Sequence, residues 1–139
     1  MMGGQMRKLV LALIVGFMLG VFALPAQAGS PHFVGTPTFT TSDNTVTVTA
    51  KEAGLGDEDQ IVAVLSGTAD CINGGGNHPQ AANKTSFSTS IVVPVQNGKA
   101  DYSVTATAVF DPACSPPMTV EFTSLVLTDT TNGLSVTLI

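Results

Sequence analysis

The chain has 139 residues, 44% of them hydrophobic and only 11% charged, with ten acidic side chains against five basic ones. A formal net charge of −5 repels phosphate backbones, which excludes the electrostatic footprint of a nucleic-acid binder. With no tryptophan, one tyrosine and two histidines, few residues are present on which sugar stacking or acid–base catalysis commonly rests.

Arg7 and Lys8 precede an apolar run over residues 9–24, and Ala26-Gln27-Ala28 supplies small residues where a signal peptidase cuts. Residues 1–28 therefore read as a secretory signal peptide. The run is shorter than the roughly 20 residues a spanning helix needs, and Pro25 breaks it, so a membrane anchor is disfavoured. No cysteine lies near the cut to take a lipid, and no second apolar run follows, so no membrane partner is expected after cleavage. Cleavage leaves residues 29–139, 111 residues that suffice for one domain with a real core and not for two. All ten acidic side chains stay with Lys51, Lys84 and Lys99, a net charge of −7. In an oxidising, extracellular destination, Cys71 and Cys114 are expected to form one disulfide.

The mature part reads as extended segments separated by turns, with no helical period. Residues 36–41 form a first strand, held to a sheet edge by Pro37. Residues 45–51 alternate, with Val46, Val48 and Ala50 on one face and Thr45, Thr47, Thr49 and Lys51 on the other. Residues 60–69 form a third strand in which Ile61, Ala63 and Leu65 face one way and Val62 and Val64 the other, a pattern for a central strand covered on both sides. Residues 86–95 and 99–108 make a hairpin about Asn97-Gly98, the favoured pair for two positive φ values, with Phe87, Ile91, Val93 and Val95 inward on one arm and Tyr102, Val104 and Ala106 on the other. The prolines of 110–117 preclude a ladder there. In 118–128 the apolar parity moves from Val120 and Phe122 to Leu125 and Leu127, which predicts a β-bulge or a second covered face. Asn132-Gly133 turns the chain into a last strand with Leu134, Val136 and Leu138 inward. Seven short strands with two Asn-Gly turns predict an all-β fold, an antiparallel immunoglobulin-like sandwich.

The least repetitive stretch is Cys71-Ile72-Asn73-Gly74-Gly75-Gly76-Asn77-His78-Pro79, running on to Asn83-Lys84-Thr85. Three glycines and flanking asparagines tolerate positive φ, and Pro79 pushes His78 toward an extended conformation. A loop longer than about 12 residues is either functional or a plain connector. Cys71 and Cys114 would fasten it to the proline-rich link at one end of the sandwich. Its polar residues Asn73, Asn77, His78, Asn83 and Lys84 are the candidate binding residues.

No catalytic constellation stands out. His78 is outside any nucleophile motif, and the triple glycine is not a phosphate loop, because Asn77 and His78 replace the lysine and hydroxyl such a loop requires. Asp57, Glu58 and Asp59 offer oxygen ligands of the kind calcium takes, without the spacing of a calcium loop; the alternative is a solvated turn. Asn83-Lys84-Thr85 matches the glycosylation acceptor pattern. No cofactor is implied.

The box from Cys71 to Pro79, with Ala82-Asn83-Lys84 after it, resembles one in small secreted β-rich proteins of bacteria and fungi. The similarity extends to Lys51-Glu52-Ala53-Gly54-Leu55-Gly56 and to a second cysteine in the last third, and it implies no assigned activity. In architecture the chain also resembles the enediyne apoproteins of the neocarzinostatin type, which are secreted, acidic and seven-stranded. That likeness implies a small-molecule carrier, although the family's two disulfides and its cleft do not map onto Cys71 and Cys114. The expected function is a secreted, non-enzymatic binding or interaction module whose partner is an extracellular protein, a glycan or a small molecule. The alternatives are a structural or assembly subunit of an extracellular layer or fibre, pairing through 36–41 and the apolar end 134–139, and a small-molecule carrier.

Overall fold

A computed structural model of the chain describes residues 29–73 and 83–139. The expected signal peptide 1–28, and the middle of the glycine-rich stretch with Asn77 and His78, lie outside the described residues. Eight strands follow in order: β1 (His32–Phe33), β2 (Thr38–Ser42), β3 (Thr45–Ala53), β4 (Gln60–Ile72), β5 (Lys84–Pro94), β6 (Ala100–Thr107), β7 (Thr119–Asp129) and β8 (Leu134–Thr137). No α-helix occurs among the described residues, so none there is long and apolar enough to cross a membrane.

The strands form two antiparallel sheets that pack face to face. In one, β3 pairs with β6 on one side and with β1 and β2 on the other; the second runs β5-β4-β7-β8. β1 and β2 are one interrupted edge: Val34 still donates from its amide to the Lys51 carbonyl at 2.8 Å, and the ladder resumes only at Thr38, beyond Pro37. Eight strands replace the seven expected because His32–Phe33, too short to show alternation, pairs with Glu52 and Ala53 of β3.

Alternation decides which side chains meet. Val46, Val48 and Ala50 of β3 and Tyr102, Val104 and Ala106 of β6 face Ile61, Ala63 and Leu65 of β4 and Leu125 and Leu127 of β7 in one core. β4 is central, as expected, but Val62 and Val64 on its outer face are only half-buried, so that face is not covered as the apolar run suggested. β4 also runs three residues further than expected, taking Cys71 and Ile72 into the sheet. On the outer face of the other sheet the threonines satisfy one another, Thr47 with Thr105 at 2.8 Å and Thr49 with Ser103 at 3.0 Å. At the β5–β6 hairpin Asn97 and Gly98 both adopt positive φ, 54° and 72°, as the Asn-Gly pair requires.

The parity change in β7 is a bulge. Thr68 of β4 faces Ser124 and Ala69 faces Phe122, so Thr123 is the additional residue. The strands come close there because Gly67 has no side chain: a Cβ on it would lie 2.2 Å from the Ser124 carbonyl oxygen and 2.8 Å from Phe87 Cζ. Phe87 in turn meets Phe122 edge to face, centroids 5.7 Å apart.

Candidate functional site

The strand directions give the sandwich two different poles. One holds the 43–44 turn, the exit of β4 and the 108–118 link; the other holds the connections 54–59, 95–99 and 130–133.

Cys71 and Cys114 are bonded, with Cα atoms 5.7 Å apart, and Met118 Sδ packs 3.7 Å from Cys71 Sγ. The bridge ties the last turn of the β4 ladder to the proline-containing link, at the end of the sandwich where it was expected. Asn73 leaves β4 exposed on one side of the glycine-rich stretch, and half-buried Asn83 and exposed Lys84 re-enter at the start of β5. Three of the five candidate residues are thus brought to one pole; Asn77 and His78 are outside the described residues.

Register adds what spacing could not give. Lys84 of β5 and Glu121 of β7 both face Asp70 of β4, so one row across the outer sheet reads basic, acidic, acidic. Asp70 is only 6% exposed. Beside this row lies an open groove of about 450 Å³, lined by Thr68, Asp70, Lys84, Thr85, Ser86 and Thr123. The bulge shapes it: the Thr68 hydroxyl lies 2.7 Å from both Thr123 Oγ1 and Ser124 Oγ, so two consecutive residues of β7 turn hydroxyls to the same side. The arrangement can hydrogen-bond a polar ligand and place one cation beside it.

The opposite pole holds a buried acidic cluster that the sequence reading did not single out. Glu52 is 1% exposed and Asp129 is fully buried. Glu52 Oε2 accepts a 2.6 Å hydrogen bond from the Tyr102 hydroxyl, and Oε1 has no nitrogen or hydroxyl donor. The Asp129 carboxyl lies close enough to Glu52 to disfavour its ionised form. Asp129 accepts from the amides of Thr131 (2.9 Å) and Asn132 (3.2 Å) and from Asn132 Nδ2 (2.7 Å). Burial above all, then the hydrogen bond and charge of Asp129 and the charge of Glu58, push the Glu52 carboxyl from 4.5 up to about 7, against the lowering effect of the Tyr102 hydrogen bond. Burial, and next the bond to Glu52, raise the Tyr102 hydroxyl too. Asn132 Nδ2 also reaches Glu58 Oε2 at 3.0 Å, joining the 54–59 and 130–133 connections. The signal was alternation carried one step further, from Ala50 to Glu52 and from Leu127 to Asp129.

Among the described residues no group of three or more His, Cys, Asp or Glu side chains, Asp57, Glu58 and Asp59 included, is placed to hold a metal ion. Glu58 is engaged with Asn132 instead. No protein-family model, curated protein or solved structure matches the chain.

Proposed function

We propose that the protein is an exported, non-enzymatic binding module whose contact surface is the pole around Asn73, Asn83 and Lys84. The observation that carries this reading is the groove beside the disulfide-anchored stretch. Three adjacent strands supply it with four hydroxyl side chains, a carboxylate and a lysine, on a support held by backbone ladders on both sides of β4. The Cys71–Cys114 bond suits an oxidising compartment and supports export. Support for a non-enzymatic role comes from the burial of Glu52 and Asp129, which closes that acidic pair to any substrate. The strand order is read as immunoglobulin-like, supported by the central neighbours β3–β6 in one sheet and β4–β7 in the other.

The test is a variant carrying Asn73→Ala, Asn83→Ala and Lys84→Ala, compared with the parent on a glycan array and in pull-downs of extracellular proteins. Melting within a few degrees of the parent with loss of the parent's hits supports the reading. Retention of every hit places the contact elsewhere, and unfolding makes these residues structural.

A further inference from the structure

We propose that the edge of β7 over residues 119–123 accepts an extended segment of another polypeptide as an added strand, one with alternate apolar side chains and a basic side chain opposite Glu121. This inference is independent of the contact surface at Asn73, Asn83 and Lys84.

β7 is eleven residues long, but β8 pairs only with Val126–Asp129. On that side, no strand among the described residues pairs with 119–123, although β4 pairs with that stretch on the other. Main-chain donors and acceptors at such an edge form a template for a further strand. A groove of about 390 Å³ lies against it, lined by Thr119, Val120, Glu121 and Phe122 together with Phe39, Thr41, Ile72 and Ile139. Successive residues of a strand point to opposite faces. Four consecutive residues, alternating between the two faces, line this groove together, as they do along a strand's edge, where the peptide groups point.

The floor of the groove is unfinished core. Phe39 pairs with Val48 and shares its inward parity, yet it is 38% exposed where Val48 is fully buried. Ile139 at the end of the groove is 42% exposed. An incoming strand would lay every second side chain over Phe39 and Phe122 and leave the others on the outer face beside Glu121.

Charge chooses the occupant. Glu121 is exposed in the middle of the edge, and the chain carries a net charge of −5. In a twofold pairing of two β7 edges centred on this stretch, Glu121 would face its own twin, a repulsive cross-strand pair. A basic residue there is attractive, so a basic segment of a different polypeptide fits and a twofold β7–β7 pair does not.

The probe is a capped hexapeptide alternating valine and threonine with one central lysine, titrated into the isotope-labelled protein and followed by amide chemical shifts and hydrogen exchange. Shifts and slowed exchange are expected at 119–123, with binding about fivefold weaker when the peptide lysine is replaced by glutamate. Glu121→Lys, an exposed substitution whose fold circular dichroism checks, should reverse that preference. Phe39→Ser should weaken both peptides. Shifts confined to other strands, no saturation at millimolar peptide, or an unchanged preference in Glu121→Lys would each overturn the proposal. So would a dimer in sedimentation whose own contact protects 119–123, since the edge would then belong to a second copy.

Discussion

The Tyr102 hydroxyl donates to Glu52 Oε2 at 2.6 Å across the β3–β6 pair, in the interior of the pole opposite the disulfide. Tyr102 faces Ala50 in the ladder, two residues from Glu52, so the bond runs diagonally along the inner face of the sheet. It holds a carboxyl group where the preceding alternation places valine and alanine. Tyr102 satisfies Oε2, and burial beside Asp129 favours the protonated, uncharged form of the acid.

A carboxyl raised from 4.5 to about 7 in the folded state makes stability fall as pH rises. Below 4.5 both folded and unfolded chains hold the proton and the contribution is complete; between 4.5 and 7 only the folded chain does, and the contribution is progressively lost. The total is about 3 kcal/mol at about 1.4 kcal/mol per pH unit. Denaturant unfolding at a series of pH values should show that decline. Glu52→Gln, which keeps an acceptor for Tyr102 and supplies an amide donor to Asp129, should flatten it and surpass the parent above pH 7.

Tyr102→Phe removes the donor and leaves Glu52 Oε2 buried without one. Loss of about 1 to 3 kcal/mol is expected below pH 5. The size of that loss, set beside the Glu52→Gln curve, separates the hydrogen bond from the charge.

Gly67→Ala places a Cβ 2.2 Å from the Ser124 carbonyl oxygen and 2.8 Å from Phe87 Cζ, one of them backbone that cannot rotate away. β4 and β7 must then separate at the bulge. A destabilisation of about 2 kcal/mol or more is expected in thermal melts, from a substitution that elsewhere in a strand is mild.

Replacing Cys71 and Cys114 by serine opens a loop closed over 43 residues. Chain entropy sets the loss at about 4 kcal/mol, and the same drop should follow reduction of the parent. Because Glu52 lies at the other pole, the slope of stability with pH should survive the loss of the bond, which a pH series on the serine variant checks.

Much of the fold was legible because β-structure writes its burial into every second residue. Val46, Val48, Ala50, Tyr102, Val104 and Ala106 all face as their parity predicts, and the shift between Phe122 and Leu125 marked the bulge correctly. What escaped notice was held by other means. His32 and Phe33 make a two-residue strand, too short for alternation to be read even though Phe33 packs on the core. Glu52 and Asp129 follow the inward parity, but acidic residues at the ends of apolar runs read as strand stops until partners from other strands are seen beside them. The row of Lys84, Asp70 and Glu121 depends on register among three strands far apart in the chain. The disulfide, by contrast, needed only two cysteines and an expected oxidising destination to be foreseen.

The bulge at Thr123 has a last implication. A chain shorter by that one residue would run Phe122, Ser124, Leu125 with unbroken alternation, keeping Phe122 over Ala69 and Ser124 over Thr68 as they are now. The interior would lose nothing from the deletion. The supernumerary threonine therefore serves the water side alone, and its hydroxyl, 2.7 Å from that of Thr68, thickens the polar wall facing Lys84.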